Sequence, residues 1–400
     1  MNNFVEKKEN AFLLKFVLIV SSLALMVDMA IYPAVDAIYQ DFADINMVLV
    51  NFFITGPALL IIIGSIICGL LVQIIGKKTI LAASYLLFCI STIFSSGMDN
   101  FYFLLAMRTI AGLTAGFISV SSVGLIAELF IDENRRSRMM GLYTAVMSIL
   151  GAIMTYAAGW LAIINWHYVF YAYIIAIPVL VGVIFFIPKT APERKTAIEG
   201  STPDKMPWKR TSALAIAAFI FSSMYSVILT MVAVYLVELS IGDSSTVGLL
   251  EALGALGSMV TGFAFSFIYM RTKRATPIIF AGLMAVGYLM LAYTINLPMI
   301  CIAKTILGGM YGLGYAYYLM AAAMIAPPSK ASLSISIANS AVYGGIFVGP
   351  YVCPLIQYLF HVDSIVACMP YMVLILIGYV MISAAIVIYT KKKQGNIELI

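Results

Sequence analysis

Residues 75–100 read IGKKTILAASYLLFCISTIFSSGMDN, and this stretch decides the fold. Its apolar part, 79–97, carries no charge and has about the 20 residues that an α-helix needs to cross a bilayer core of about 30 Å. Lys77 and Lys78 stand directly before it, and Asp99 follows it. An apolar helix with basic residues at one end and an acid at the other is typical of a membrane-spanning segment.

The same pattern recurs along the chain. The 400 residues are 63% hydrophobic and 10% charged, with a mean hydropathy of +1.03, whereas a soluble domain has about 25% charged residues. We therefore predict an all-α membrane protein with twelve transmembrane helices. The predicted spans 1–12 cover about 13–39, 47–75, 79–97, 101–130, 137–163, 167–187, 212–239, 245–270, 276–295, 298–326, 332–360 and 364–390.

This composition excludes several classes of protein. A soluble enzyme, a nucleic-acid binder and a disordered chain are all inconsistent with so much apolar surface. The chain has only two histidines, and its five cysteines are scattered without a CxxC pair, so we expect neither a metal site nor a cofactor. The sequence contains no P-loop, which argues against direct coupling to ATP.

The basic residues mark one side of the membrane. Of the 23 Lys and Arg residues, all except Arg108 and Lys304 lie at the termini or in loops that follow even-numbered spans. The loops on the other side carry acids but no Lys or Arg. The positive-inside rule places both termini in the cytoplasm, so we expect a multi-pass protein of the plasma membrane.

The chain divides into two halves that resemble each other. Residues 64–69 read GSIICG, and residues 257–262 read GSMVTG, 193 positions later. Residues 108–112 read RTIAG, and residues 304–308 read KTILG, 196 positions later. Two matches in the same order predict a duplicated six-helix unit, as in transporters that bind their substrate between two parallel repeats.

A polar, proline-containing stretch separates these halves. We predict an N-terminal bundle over 1–188, a cytoplasmic linker over 189–210 and a C-terminal bundle over 211–400. The linker itself has no motif, and we interpret it as a tether between two pseudo-symmetric six-helix bundles.

Four charged residues fall deep inside the predicted spans, away from their ends. A charge at the bilayer centre costs at least about 2.5–3.5 kcal/mol, so such residues indicate a functional site or a structural ion pair. Asp28 near the middle of span 1 has the chemistry to exchange a proton, and Arg108 on span 4 is its partner, a gate residue or a substrate contact. Glu251 and Lys304, at similar depth on spans 8 and 10, pair with each other or extend towards the interface.

Aromatic residues are numerous on span 10, where Tyr311, Tyr315, Tyr317 and Tyr318 follow closely. Such a run lines a pocket for a hydrophobic or cationic ligand, or else packs in the core. Both interpretations stay open from the sequence.

Residues 69–78 read GLLVQIIGKK, which resembles Gly-x-Leu-x-Asp-x-x-Gly-Arg-Lys/Arg, the loop signature of the major facilitator superfamily. Residues 166–170, WHYVF, are similar to the family's Trp-Arg-x-x-Phe, and Arg108, Gly112 and Gly116 match its span 4 motif. The resemblance implies the major facilitator fold and alternating access. It also implies a cytoplasmic gate formed by Gly69, Gln73, Gly76, Lys77, Lys78 and Glu128, with Gln73 in place of the family's acid and Glu128 bonded to Lys77 or Lys78.

Residues 28–33, DMAIYP, resemble a segment of twelve-span drug:proton antiporters, in which the acid and the span 4 arginine handle the proton. The antiporters' Gly-Pro signature in span 5 is absent from 151–160, and a similar Gly-x-x-x-Gly-Pro occurs at 345–350 in span 11. This resemblance implies proton-coupled efflux of a hydrophobic or cationic molecule.

The predicted function is therefore a secondary transporter, not an enzyme. Asp28 and Arg108 would couple protons, and the substrate contacts would be Glu251, Lys304, Tyr32 and Tyr315. The alternative is a symporter or exchanger of an organic anion held by Arg108 and Lys304. A channel is a further alternative, although no selectivity-filter loop is visible. We expect a monomer in the lipid bilayer whose partners are a small-molecule substrate and protons, with no nucleic acid.

Overall fold

The computed structural model describes residues 12–26, 30–193, 205–241 and 244–395, and every element in them is helical. Ten stretches are long and apolar enough to cross a membrane, and one of these, Thr246–Tyr293, contains two helices joined by a short 3₁₀ turn. Together with the shorter helices of span 1, they form the predicted twelve-span arrangement. Spans 2–6 comprise Met47–Leu71, Lys77–Phe94, Phe101–Leu129, Glu133–Ile164, and the 3₁₀ helix Trp166–Ile175 with Ala176–Phe186.

The C-terminal half repeats this pattern. Spans 7–10 comprise Trp208–Glu238, Ser244–Thr272, Thr276–Tyr293 and Leu297–Ile325. Span 11 consists of Ala331–Val348, Gly349–Tyr351 and Val352–Phe360, and span 12 is Ile365–Gly395.

Span 1 is not the single continuous helix that the apolar run predicts. An α-helix over Phe12–Val20 tightens into a 3₁₀ helix over Ser21–Met26, and two further short helices cover Tyr32–Ala34 and Val35–Asp41. Ser21 Oγ donates to the Leu18 carbonyl oxygen at 2.6 Å. Serine side chains that bond the preceding turn compete with regular helical hydrogen bonds, which explains the tighter winding.

Polar residues in the tight turns begin several helices. Asn46, Asn100 and Asp132 each accept a hydrogen bond from a backbone N–H in the first turn of spans 2, 4 and 5, at distances of 2.9, 3.1 and 2.8 Å. Such caps satisfy N–H groups that have no partner within the helix. The loops before these spans can therefore be short.

Glycines bring equivalent helices together in the two halves. A Cβ on Gly116 of span 4 would lie 2.8 Å from the backbone nitrogen of Ser65 on span 2. A Cβ on Gly312 of span 10 would lie 2.7 Å from the carbonyl oxygen of Ser258 on span 8. The duplicated glycine pattern thus corresponds to the same close helix crossing in each half.

The two halves meet through spans 2 and 11 and through spans 5 and 8. One end of the bundle is called the linker face. It contains the segment 187–193 and the turns at 72–76, 130–132 and 326–330. Within the described ranges, the polar contacts between the halves run from the middle of the bundle to this face. The conformation is therefore closed at the linker face.

Candidate functional site

Arg108 lies in the N-terminal half between spans 4 and 2. It is 2% exposed, and its guanidinium donates to the carbonyl oxygens of Phe53 at 3.3 Å and Ile54 at 3.1 Å. Pro57, one turn further along span 2, has no N–H to bond the Phe53 carbonyl. Arg108 therefore satisfies a polar group that would otherwise be unpaired in the membrane. Its predicted partner, Asp28, lies outside the described residues.

Lys304 occupies the corresponding place on span 10 and has a different partner. Its side chain is 1% exposed, and its Nζ lies 2.6 Å from Oε1 of Glu251 on span 8. The Glu251 side chain is 35% exposed. The pair compensates the charge of a buried ammonium and leaves one carboxylate partly accessible.

Aromatic rings stack beside this ion pair. Tyr225 on span 7 and Tyr311 on span 10 are parallel, with ring centroids 4.0 Å apart and planes inclined by 13°. Tyr225 is also within electrostatic range of Glu251. Phe221 and Tyr315 also stack against Tyr311, with ring centroids 6.0 and 6.1 Å from that of Tyr311. A carboxylate beside stacked rings is an arrangement that attracts organic cations.

A polar cluster joins the halves at mid-bundle. Asn339 of span 11 is fully buried, and its amide donates to Ser65 Oγ at 2.9 Å. Its carbonyl oxygen accepts from Ser119 at 3.1 Å and from Tyr315 at 3.3 Å. Because Ser65 and Ser119 belong to the N-terminal half, separation of the halves at this depth must break their hydrogen bonds with Asn339.

The other predicted substrate contacts differ in exposure. Tyr315 is 1% exposed, so the Asn339 bond holds it inside the cluster and away from any open surface in this conformation. Tyr32, in the short 3₁₀ helix Tyr32–Ala34 of span 1, is 49% exposed. The structure therefore brings Glu251, Lys304 and the ring stack together, whereas Tyr32 stands apart on another span.

The predicted gate residues come together at the linker face. Lys77 is 4% exposed, and its Nζ donates to Glu128 Oε2 at 2.6 Å, so the bond expected of Glu128 is made with Lys77. The Lys78 backbone nitrogen donates to Thr190 Oγ1 at 3.2 Å. Gly69 faces the Ser336 side chain of span 11, and a Cβ at Gly69 would lie 2.8 Å from Ser336 Cβ.

Position 73 contacts both halves. The Gln73 amide nitrogen donates to Glu193 Oε2 at 2.8 Å, and its carbonyl oxygen accepts from Lys330 Nζ at 3.1 Å. Gly76 lies against the Thr190 carbonyl oxygen, so the turn before span 3 packs directly on the segment that follows span 6.

Glu193 belongs to the same cluster, although no sequence motif marks it. The sequence predicts that this part of the linker is a tether, yet Glu193 is 2% exposed and its carboxylate lies 3.0 Å from Lys77 Nζ. A single acid in a proline-containing polar stretch has no motif that sets it apart. Only the path of the chain after span 6 brings it back to the gate.

The geometry defines a class: a polytopic membrane protein of two six-helix halves that face each other across a polar interface. A sequence profile described as Major Facilitator Superfamily matches residues 17–350, which is most of the chain. The chain therefore belongs to the Major Facilitator Superfamily. This membership confirms the predicted fold. Because the members of the family are transporters, it also confirms the prediction that the protein is not an enzyme.

Solved structures share this fold. The human organic anion transporter MFSD10 (TETRAN) superposes with a TM-score of 0.74 at 14% identity, covering 93% of this chain and 98% of that one. The proton:xylose symporter XylE superposes with a TM-score of 0.74 at 16% identity and 94% coverage of both. At these identities the similarity concerns the fold alone.

Curated relatives match over shorter stretches. The Methylenomycin A resistance protein of Bacillus subtilis is 31% identical over 102 residues, which are 24% of this chain and 22% of that protein. The multidrug transporter mfsC of Aspergillus fumigatus is 29% identical over 127 residues, 30% of this chain and 24% of that protein. The matches span about a quarter of each relative's length.

Proposed function

We propose that this transporter exports a hydrophobic organic cation in exchange for protons. The observation that carries the proposal is the Glu251 carboxylate, which is partly exposed within a membrane span beside the parallel rings of Tyr225 and Tyr311. A delocalised cation stacks on such rings and gains a counter-charge from the acid. The relatives named as resistance and multidrug transporters support export of a small molecule.

The proton would be carried by Asp28, and Arg108 on span 4 would be its positively charged partner. Protonation of Asp28 removes its charge and changes the relative stability of the two alternating conformations. A pH gradient would then drive the cycle in one direction. Arg108 acts in this scheme by its position, since its guanidinium is already anchored on span 2.

The alternative of an organic anion has less support from the contacts. It requires Arg108 and Lys304 to offer their charges to a substrate. Lys304 is neutralised by Glu251 at 2.6 Å, and Arg108 is buried against the carbonyls of Phe53 and Ile54. A bound anion would have to displace these partners and leave Glu251 beside it.

The distribution of basic residues supports an orientation in which the linker face is on the cytoplasmic side of a plasma membrane. In this orientation, the present conformation is closed to the cytoplasm and corresponds to the state that releases an exported substrate. We also propose that the monomer is the functional unit, because each monomer contains both halves.

The function is tested in proteoliposomes with an imposed pH gradient and ethidium as the hydrophobic cation. The native protein should move ethidium against its gradient, and Asp28→Asn should abolish this transport while it inserts normally. Asp363→Asn, at an exposed loop acid, is the matched control and should retain transport. Undiminished gradient-driven export by Asp28→Asn would refute the proton role, and Arg108-dependent uptake of a labelled carboxylate would favour the anion alternative.

A further inference from the structure

Glu193 is fixed to the N-terminal half although it belongs to the chain segment after span 6. Its backbone nitrogen donates to the Val72 carbonyl oxygen at 3.0 Å, next to the turn between spans 2 and 3. Three residues earlier, Thr190 accepts from the Lys78 backbone. These bonds hold the segment against the N-terminal bundle, so its side chain moves with that half.

The carboxylate of Glu193 bonds both halves of the molecule. On the N-terminal side, Gln73 Nε2 donates to it at 2.8 Å and Lys77 Nζ lies at 3.0 Å. On the C-terminal side, Oε1 accepts from the Ser332 hydroxyl at 2.5 Å and from the Ser332 backbone nitrogen at 3.2 Å.

The position of Ser332 strengthens these contacts. It lies in the first turn of the helix Ala331–Val348, where backbone N–H groups lack helical partners and the helix dipole is positive. Hydrogen bonds from such groups to an ionised carboxylate are shorter and stronger than neutral ones. Because Glu193 is 2% exposed, water does not replace these bonds while the face is closed.

Charge at this place is balanced across the halves. Lys77 lies between Glu128 and Glu193, at 2.6 and 3.0 Å, and Lys330 of the C-terminal half reaches Gln73 at 3.1 Å. Opening the linker face would separate Glu193 from Ser332, and Gln73 from Lys330. The N-terminal half would retain Lys77 with its two acids, and the C-terminal half would lose its anionic partner.

We propose that Glu193 is a positioning residue that holds the linker face closed, and that it supplies from the linker the carboxylate that position 73 lacks. It binds the first turn of span 11 in the closed state, and this bond must break before the face opens. The proposal depends on the family's alternating access and is independent of substrate, direction and proton coupling.

The test measures the distance between spin labels on Ile131 and Lys209, exposed positions of the two halves at the linker face, in protein reconstituted in nanodiscs without substrate. The labels are attached through cysteines introduced at these two positions. Protein that has only its native cysteines and is treated with the same label provides the background signal. Glu193→Gln keeps the side-chain size but removes the charge, and should raise the ratio of open to closed distances about tenfold. An unchanged distance distribution would overturn the proposal.

An exchange of side chains separates charge from packing. The double variant Gln73→Glu/Glu193→Gln moves the carboxylate to position 73, where Lys330 can reach it. The pair of one amide and one carboxylate at positions 73 and 193 is kept. We expect this double variant to recover at least half of the shift, because a charged contact between the halves is restored. A shift as large as that of Glu193→Gln alone would attribute the effect to packing and overturn the proposal.

Two further variants complete the design. Ser332→Ala removes one bond from the C-terminal side without leaving a buried charge unpaired, and should shift the ratio in the same direction by a few-fold. Glu133→Gln is the matched control, since its contact with Lys273 also joins the halves at 3.3 Å but is solvent-exposed. A shift from Glu133→Gln equal to that from Glu193→Gln would overturn the assignment to Glu193. Since no transport is measured, failure here is distinct from failure of the proposed function.

Discussion

The neighbouring helix determines which partner a buried charged side chain has in this protein. Lys304 and Arg108 occupy corresponding positions in the two repeats, yet one ends on a carboxylate and the other on two backbone carbonyls. The difference follows from the neighbouring helix: span 2 contains Pro57, which frees a carbonyl, and span 8 contains Glu251. Equivalent cations of the two halves are therefore held by different groups.

The Lys304–Glu251 pair leads to a prediction about stability. Glu251→Gln should lower the melting temperature in detergent, because it leaves a fully buried ammonium without its counter-charge, at a cost of about 3 kcal/mol. The double variant Glu251→Gln/Lys304→Met should regain most of this stability and still fail to transport ethidium. Thermal unfolding and the proteoliposome assay measure the two effects. If the double variant were active, the carboxylate would have no part in substrate binding.

At the scale of helices, close approach depends on residues without side chains. Gly116 and Gly312 sit at equivalent crossings of spans 2 and 4 and of spans 8 and 10, against Ser65 and Ser258. The side chains of these two serines also form hydrogen bonds between the halves: Ser65 with Asn339, and Ser258 with Ser148. The helix crossings within each half thus set the positions of the polar bonds between the halves.

The helix crossings can be tested with one added methyl group. Gly116→Ala and Gly312→Ala should each destabilise the protein by about 1–3 kcal/mol, because the methyl group has no space at either crossing. Gly282→Ala is the control, since nothing lies within 4 Å of a Cβ there, and it should be neutral or slightly stabilising. Melting temperatures of the three purified variants provide the comparison. An equal effect at all three positions would contradict the packing explanation.

For the whole molecule, transport requires the two halves to separate at one face and then at the other. The described contacts place the halves together from Asn339 at mid-bundle to the Lys77 cluster and the Lys273–Glu133 pair at the linker face. Hydrogen bonds and ion pairs of this kind reform readily, so they suit an interface that must open in each cycle.

A disulfide across the linker face should block this movement. Ser137 Oγ of span 5 lies 2.8 Å from Ser266 Oγ of span 8, which suits a bridge between cysteines at the two positions. We expect Ser137→Cys/Ser266→Cys to lose transport when oxidised and to recover it on reduction. The two single variants control for the substitutions. Full activity of the oxidised double variant would show that this face does not need to open.

Much of this architecture follows from the sequence alone. The lengths of the apolar runs determine the number of spans, because the bilayer core sets how many residues a helix needs. The repeated glycine motifs predict the two halves, and the two basic residues within the spans mark positions where a charge requires a partner. Composition and spacing act locally or along one helix face, so they can be interpreted without coordinates.

Contacts between residues distant in sequence were decided only by the tertiary structure. Arg108 bonds the backbone carbonyls of Phe53 and Ile54, which leave no trace in the pattern of side chains. Tyr315 is directed into the Asn339 cluster, and Glu193 returns from the linker to Lys77 and Ser332. Such contacts depend on how the helices pack and where the chain turns back after span 6. Hydrophobicity determines whether a segment lies in the membrane, but helix packing determines which of its residues contact residues of other helices.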